Sequence, residues 1–81
     1  MTTVSPPQTE INSVITLYSN GQVQEALDAI KTLTKIYPND PLLYNIGGIC
    51  YKTLGQLDES VKNFEKALTI KPNYTEVYYN L

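Results

Sequence analysis

Cys50, the adjacent carboxylates Asp58-Glu59, the paired Gly47-Gly48 and the triplet Asn73-Tyr74-Thr75 are the residues whose types and spacing invite a chemical reading. A nucleophilic thiol or hydroxyl needs a nearby base, and the chain has no histidine. Ser–His and Cys–His pairs are therefore excluded, as are all histidine metal sites. One cysteine cannot build a zinc site or an internal disulfide, so Cys50 reads as a small core residue in a reducing compartment. Gly47-Gly48 falls inside a helical stretch and lacks the Lys-Ser/Thr that completes a phosphate-binding loop. The carboxylates fall on helix faces expected to be solvated, where they act as ordinary surface charge. Asn73-Tyr74-Thr75 matches a glycosylation acceptor, which a cytoplasmic setting makes incidental. No catalytic residue, metal or cofactor is assigned, and an enzyme is not expected.

Composition narrows the partners. Six basic residues, all lysine, face eight acidic ones, for a net charge of −2. Nucleic-acid binding calls for a dense cationic surface, which is missing. No apolar run approaches the ~20 residues that span a bilayer. The N-terminus has neither the basic head nor the apolar centre of a signal peptide. The expected localisation is cytoplasmic.

The elements that would position any functional surface are helices. Residues 1–7 read as a flexible leader, because Ser5-Pro6-Pro7 disfavours helix. Ile11, Val14, Ile15 and Tyr18 then fall on one helical face, with Leu17 widening it, and Asn20-Gly21 supplies the stop. A second helix is predicted from about Gln22 to Tyr37, with Val23, Leu27, Ile30, Leu33 and Ile36 facing inward and Pro38 ending it. Asp40 caps a third helix, and Pro41 fits its first turn. That helix closes at Gly55. The fourth, from about Gln56 to Ile70, directs Leu57, Val61, Phe64 and Leu68 inward, with Asp58 and Lys62 paired on the wet face. A fifth begins near Thr75. Each of Gly47 and Gly48 costs its helix up to ~1 kcal/mol, which points to close approach by a neighbouring helix.

These landmarks recur. Gly21-Gln22 and Pro38-Asn39 return as Gly55-Gln56 and Pro72-Asn73, 34 residues later, and Ile15, Glu25 and Ile36 return as Ile49, Glu59 and Ile70. Turns and apolar positions that share one period mean that a whole helical hairpin is copied. Such units stack into solenoids that commonly bind other chains.

The residues Tyr44-x2-Gly47-Gly48-x2-Tyr51, followed by Gly55, Phe64, Ala67 and Pro72, resemble the tetratricopeptide repeat. The resemblance implies an all-α, right-handed helical-hairpin solenoid of about two and a half repeats and five helices. Its domain would cover 8–81, with repeats at about 7–40 and 41–74 and a partial third at 75–81. Gly47 and Ser60 stand where the family usually has Leu and Ala. In the first repeat, Glu10 and Ser13 stand where it has a large aromatic and Leu, which suits the N-terminal end of a stack.

In this family the first helix of each hairpin lines a concave groove. The resemblance places Ile11, Ile15, Tyr18, Leu42, Asn45, Ile49, Lys52 and Tyr79 there, among other residues of the same helices. The matching positions do not carry the basic and amide set with which some members grip a partner's C-terminal carboxylates. The implied function is non-catalytic: a scaffold that binds a peptide or helix in an apolar groove. A partial third repeat would also expose Val77, Tyr78 and Leu81 for self-association, with a dimer favoured. The alternative is an N-terminal fragment of a larger enzyme or assembly protein whose activity lies outside this chain. Expected partners are a protein or peptide and a second copy, with no nucleic acid and no membrane.

Overall fold

A computed structural model describes residues 5–81 as five helices: α1 (Gln8–Ser19), α2 (Val23–Ile36), α3 (Pro41–Thr53), α4 (Leu57–Ile70) and α5 (Thr75–Asn80). No strand occurs among the described residues. The leader expected over 1–7 lies partly outside them, at Met1–Val4. Among the described residues no helix is long and apolar enough to cross a membrane.

The two hairpin turns are built alike, because like residues sit at like places. Gly21 and Gly55 adopt φ of 81° and 78°, which an L residue with a Cβ reaches only at a steric cost. At the first turn Gly21 N–H donates to Tyr18 O and Gln22 N–H to Leu17 O. At the second, Gly55 N–H donates to Lys52 O and Gln56 N–H to Tyr51 O. Both arrangements satisfy the carbonyls left open at a helix end. The connections between hairpins are copied too. The Tyr44 hydroxyl donates to Pro38 O at 2.8 Å, and the Tyr78 hydroxyl donates to Pro72 O at 3.1 Å. Asp40 caps α3 as expected, its carboxylate accepting from Leu42 N–H at 3.0 Å.

The core has two parts. Ile11, Val14, Ala26, Leu27, Ile30, Leu33, Leu43 and Cys50 form one across α1, α2 and α3. Phe64, Ala67, Tyr74 and Val77 form the other across α4 and α5, with Tyr44, Ile49 and Leu68 against it. The glycine pair lets α3 lie close to its neighbours. A Cβ on Gly48 would stand 2.5 Å from the Phe64 ring, and one on Gly47 would stand 2.8 Å from Asn63 Oδ1. Ser60, buried on α4, donates to Gly48 O at 2.7 Å and ties the two helices at the same level.

Three inward assignments fail. Ile36 and Leu57 are each 60% exposed, and Val61 is also exposed. Ile36, in the last turn of α2, faces away from the core that Leu33 and Tyr37 pack into. Leu57 and Val61 lie at the start of α4, past the end of α5. The surface pairing also differs, since Lys62 meets Glu59 at 3.4 Å, not Asp58.

Candidate functional site

The first helices of successive hairpins, α1, α3 and α5, are joined side by side through polar contacts. Tyr18 and Thr53 share a hydroxyl–hydroxyl hydrogen bond of 2.8 Å between α1 and α3. Between α3 and α5, Asn80 Nδ2 donates to Asn45 Oδ1 and Lys52 Nζ donates to Asn80 O, both at 3.0 Å. Each bond links residues that are far apart in sequence.

The residues expected along this surface sort by their place in the 34-residue period. Ile11, Asn45 and Tyr79 occupy one place. Ile11 is 4% exposed and Asn45 6%, whereas Tyr79 is 85% exposed. Ile11 is buried in the first core, and Asn45 is hydrogen-bonded to Asn80 of the next first helix. Ile11 therefore belongs to the core and lines no open groove, and Asn45 offers its amide to Asn80 in place of a ligand. Ile15 and Ile49 occupy the next place, one helical turn on; Ile15 is 48% exposed and Ile49 is half-buried. Tyr18 and Lys52 share a third place, half-buried and exposed respectively, and Leu42 is half-buried at the start of α3. What remains open is Ile15, Tyr18, Ile49, Lys52 and Tyr79, with Leu42 partly open.

The second expected surface, at the α5 end, changes membership. Val77 is fully buried among Phe64, Ala67 and Tyr74. Its counterpart one period earlier, Leu43, is buried in the same way, so an apolar residue at this place is core. Tyr78 and Leu81 are exposed, and so are Leu57 and Val61. A shallow cleft of about 180 Å³ lies among Lys52, Leu57, Ser60, Val61, Phe64, Asn80 and Leu81. Leu57 and Val61 carry the pattern of core residues, which hides this exposure from a reading of the helix pattern alone. Thr53 carried no signal either, because its partner Tyr18 lies in another repeat. A second cleft, of about 300 Å³, opens at the other end between α1 and α2, with Val14, Leu17, Ala29 and Leu33 in its wall.

Among the described residues no group of His, Cys, Asp or Glu could hold a metal ion. Burial pushes the Cys50 thiol up, away from the reactive thiolate. The open residues offer apolar area, phenol hydroxyls and one ammonium, which suits recognition of another chain.

Residues 48–81 match the family model described as TPR repeat. The chain is 27% identical over 75 residues to a peroxisomal targeting signal receptor of Kluyveromyces lactis, covering 93% of this chain and 13% of that protein. It is 34% identical over 56 residues to anaphase-promoting complex subunit 3 of Dictyostelium discoideum, covering 69% of this chain and 6% of that protein. A human aspartyl/asparaginyl beta-hydroxylase is 31% identical over 61 residues, covering 73% of this chain and 8% of the enzyme. The chain thus spans a small part of each of these relatives.

Proposed function

Because the chain carries tetratricopeptide repeats, which bind protein partners, we propose that it is a non-catalytic scaffold. A short peptide or helix lies along α1, α3 and α5. The observation that supports this most directly is the side-by-side joining of these helices, which leaves Ile15, Tyr18, Ile49, Lys52 and Tyr79 open along one assembly. Leu42 contributes at the margin. The apolar members supply buried area on binding, and Tyr suits an interface because it buries a large ring while keeping a polar tip. That several relatives are named as receptors of a targeting signal favours a short peptide as the ligand class. A cytoplasmic setting belongs to the same reading, since a buried free thiol fits a reducing compartment.

The test is a displayed library of random peptides selected against the chain. Recovered peptides bind the parent and lose at least tenfold in affinity to Ile15→Asp, because a charge enters the apolar contact. Peptides that bind both forms equally would place the ligand elsewhere.

A second reading, self-association, is favoured by one observation. Leu81, Leu57 and Val61 are exposed around one shallow cleft, and such surface on a small protein commonly marks an interface. A head-to-tail stack would seat the next copy's α1 where α5 already lies, so the form this surface favours is a symmetric dimer. Light scattering over a concentration series decides it: a dimer that Leu81→Asp dissociates supports the reading, and a monomer up to millimolar concentration removes it.

A further inference from the structure

Both hydrogen bonds that tie α5 to another helix converge on one residue. Asn80 gives its side-chain amide to Asn45 and receives Lys52 at its backbone carbonyl. Asn45 is unusual for its surroundings. It is a polar residue 6% exposed, and its place in the preceding repeat is filled by the apolar Ile11. Apolar packing at this place would bury more area, and a buried amide contributes little net stability. What an amide adds is direction, since its oxygen accepts from Asn80 in one register of α5 against α3 and loses that donor in the others. Apolar side chains discriminate registers much less sharply.

We propose that Asn45 and Asn80 form a register clasp between successive first helices, and that they are positioning residues and not ligand contacts. The Lys52 ammonium strengthens the clasp, because it meets one of the carbonyls that every helix leaves open at its C-terminus. Val77 enters the core three residues before Asn80, on the same side of α5. The clasp therefore fixes both the height and the rotation of α5, and with them the direction in which Tyr79 projects. Its purpose rests on the groove reading above, but its existence does not.

Amide hydrogen exchange and resonance counting by NMR on the 81-residue chain test the clasp without any ligand. In Asn45→Ala the Val77 and Leu81 amides, which donate to Tyr74 O and Val77 O, exchange about tenfold faster, the effect of losing one net hydrogen bond. The amides of Ala26 and Tyr37 in the first hairpin keep their rates. Asn80→Ala gives the same pattern. The paired variant Asn45→Leu with Asn80→Leu regains protection through apolar contact but shows more than one set of resonances for 77–81. Unchanged exchange at Val77 and Leu81 in both alanine variants overturns the proposal, and so does a single resonance set in the paired leucine variant. A chain that shows the expected exchange yet binds no peptide refutes the groove reading and leaves the clasp in place.

Discussion

Leu27 on α2 and Val61 on α4 stand at the same place in two copies of one hairpin, yet Leu27 is 1% exposed and Val61 44%. Their neighbours one turn further along, Ile30 and Phe64, are both buried. The difference lies in the helix that follows. α3 continues to Thr53 and brings Cys50, Tyr51 and Leu54 against the first core. α5 spans Thr75–Asn80 and covers α4 only as far as Phe64 and Ala67. A pattern of apolar residues thus specifies a face that can be buried, and a neighbouring helix determines whether it is.

Matched substitutions test this directly. Leu27→Ala, which empties a fully covered place, lowers unfolding stability by about 2–5 kcal/mol. Val61→Ala shifts it by less than about 0.5 kcal/mol, as at other open positions. Urea denaturation of the two variants measures both, and equal losses would show that α4 is covered at Val61 as α2 is at Leu27.

A smaller effect separates the glycines. Gly48→Ala forces a Cβ against the ring of Phe64, which is 1% exposed and cannot swing into solvent. Overpacking of this kind costs about 1–3 kcal/mol, partly offset by the ~1 kcal/mol that alanine gains in a helix interior. Thermal unfolding of Gly48→Ala should therefore show a net loss. A midpoint that rises would mean that α3 and α4 part easily.

The smallest effect contrasts the two turns that lead into α3 and α5. Asp40 caps α3 with a carboxylate, whereas Tyr74, one period later, caps nothing with its side chain and is buried. Burial pushes the Tyr74 phenol up from its ordinary value, with Glu76 and Asp40 adding to the rise and the Asn45 contact opposing it. The folded chain therefore holds this proton more tightly than the unfolded chain does. Stability from this group is complete below the ordinary tyrosine range near pH 10 and falls as pH rises through the folded value. Cys50, also raised by burial, adds a fall that begins near pH 9. Denaturation midpoints from pH 8 to 11 should decline, and Tyr74→Phe should flatten the upper part of that decline.

Much of the fold was legible because its punctuation is local. Gly21 and Gly55 must take a conformation that few other residues accept, Asp40-Pro41 starts a helix, and Pro38 and Pro72 stop two. The groove was legible only in part. Ile15 and Ile11 read alike along α1, yet only Ile11 enters the core shared with α2 and α3. Asn45 looked available because its partner, Asn80, is 35 residues away. Val77 looked exposed for a related reason: the second core that encloses it is assembled from α4 and α5 together. Local chemistry writes the helices, and contacts between repeats decide what each helix shows.

The glycines at the two hairpin turns carry a further consequence. A Cβ placed on Gly21 or Gly55 would meet nothing within 4 Å. What excludes L residues there is therefore handedness and not space. A D-alanine would sit in its own preferred region at either turn, and it would restrict the unfolded chain more than glycine does. These are the two points where a mirror-image residue suits the chain better than a natural one.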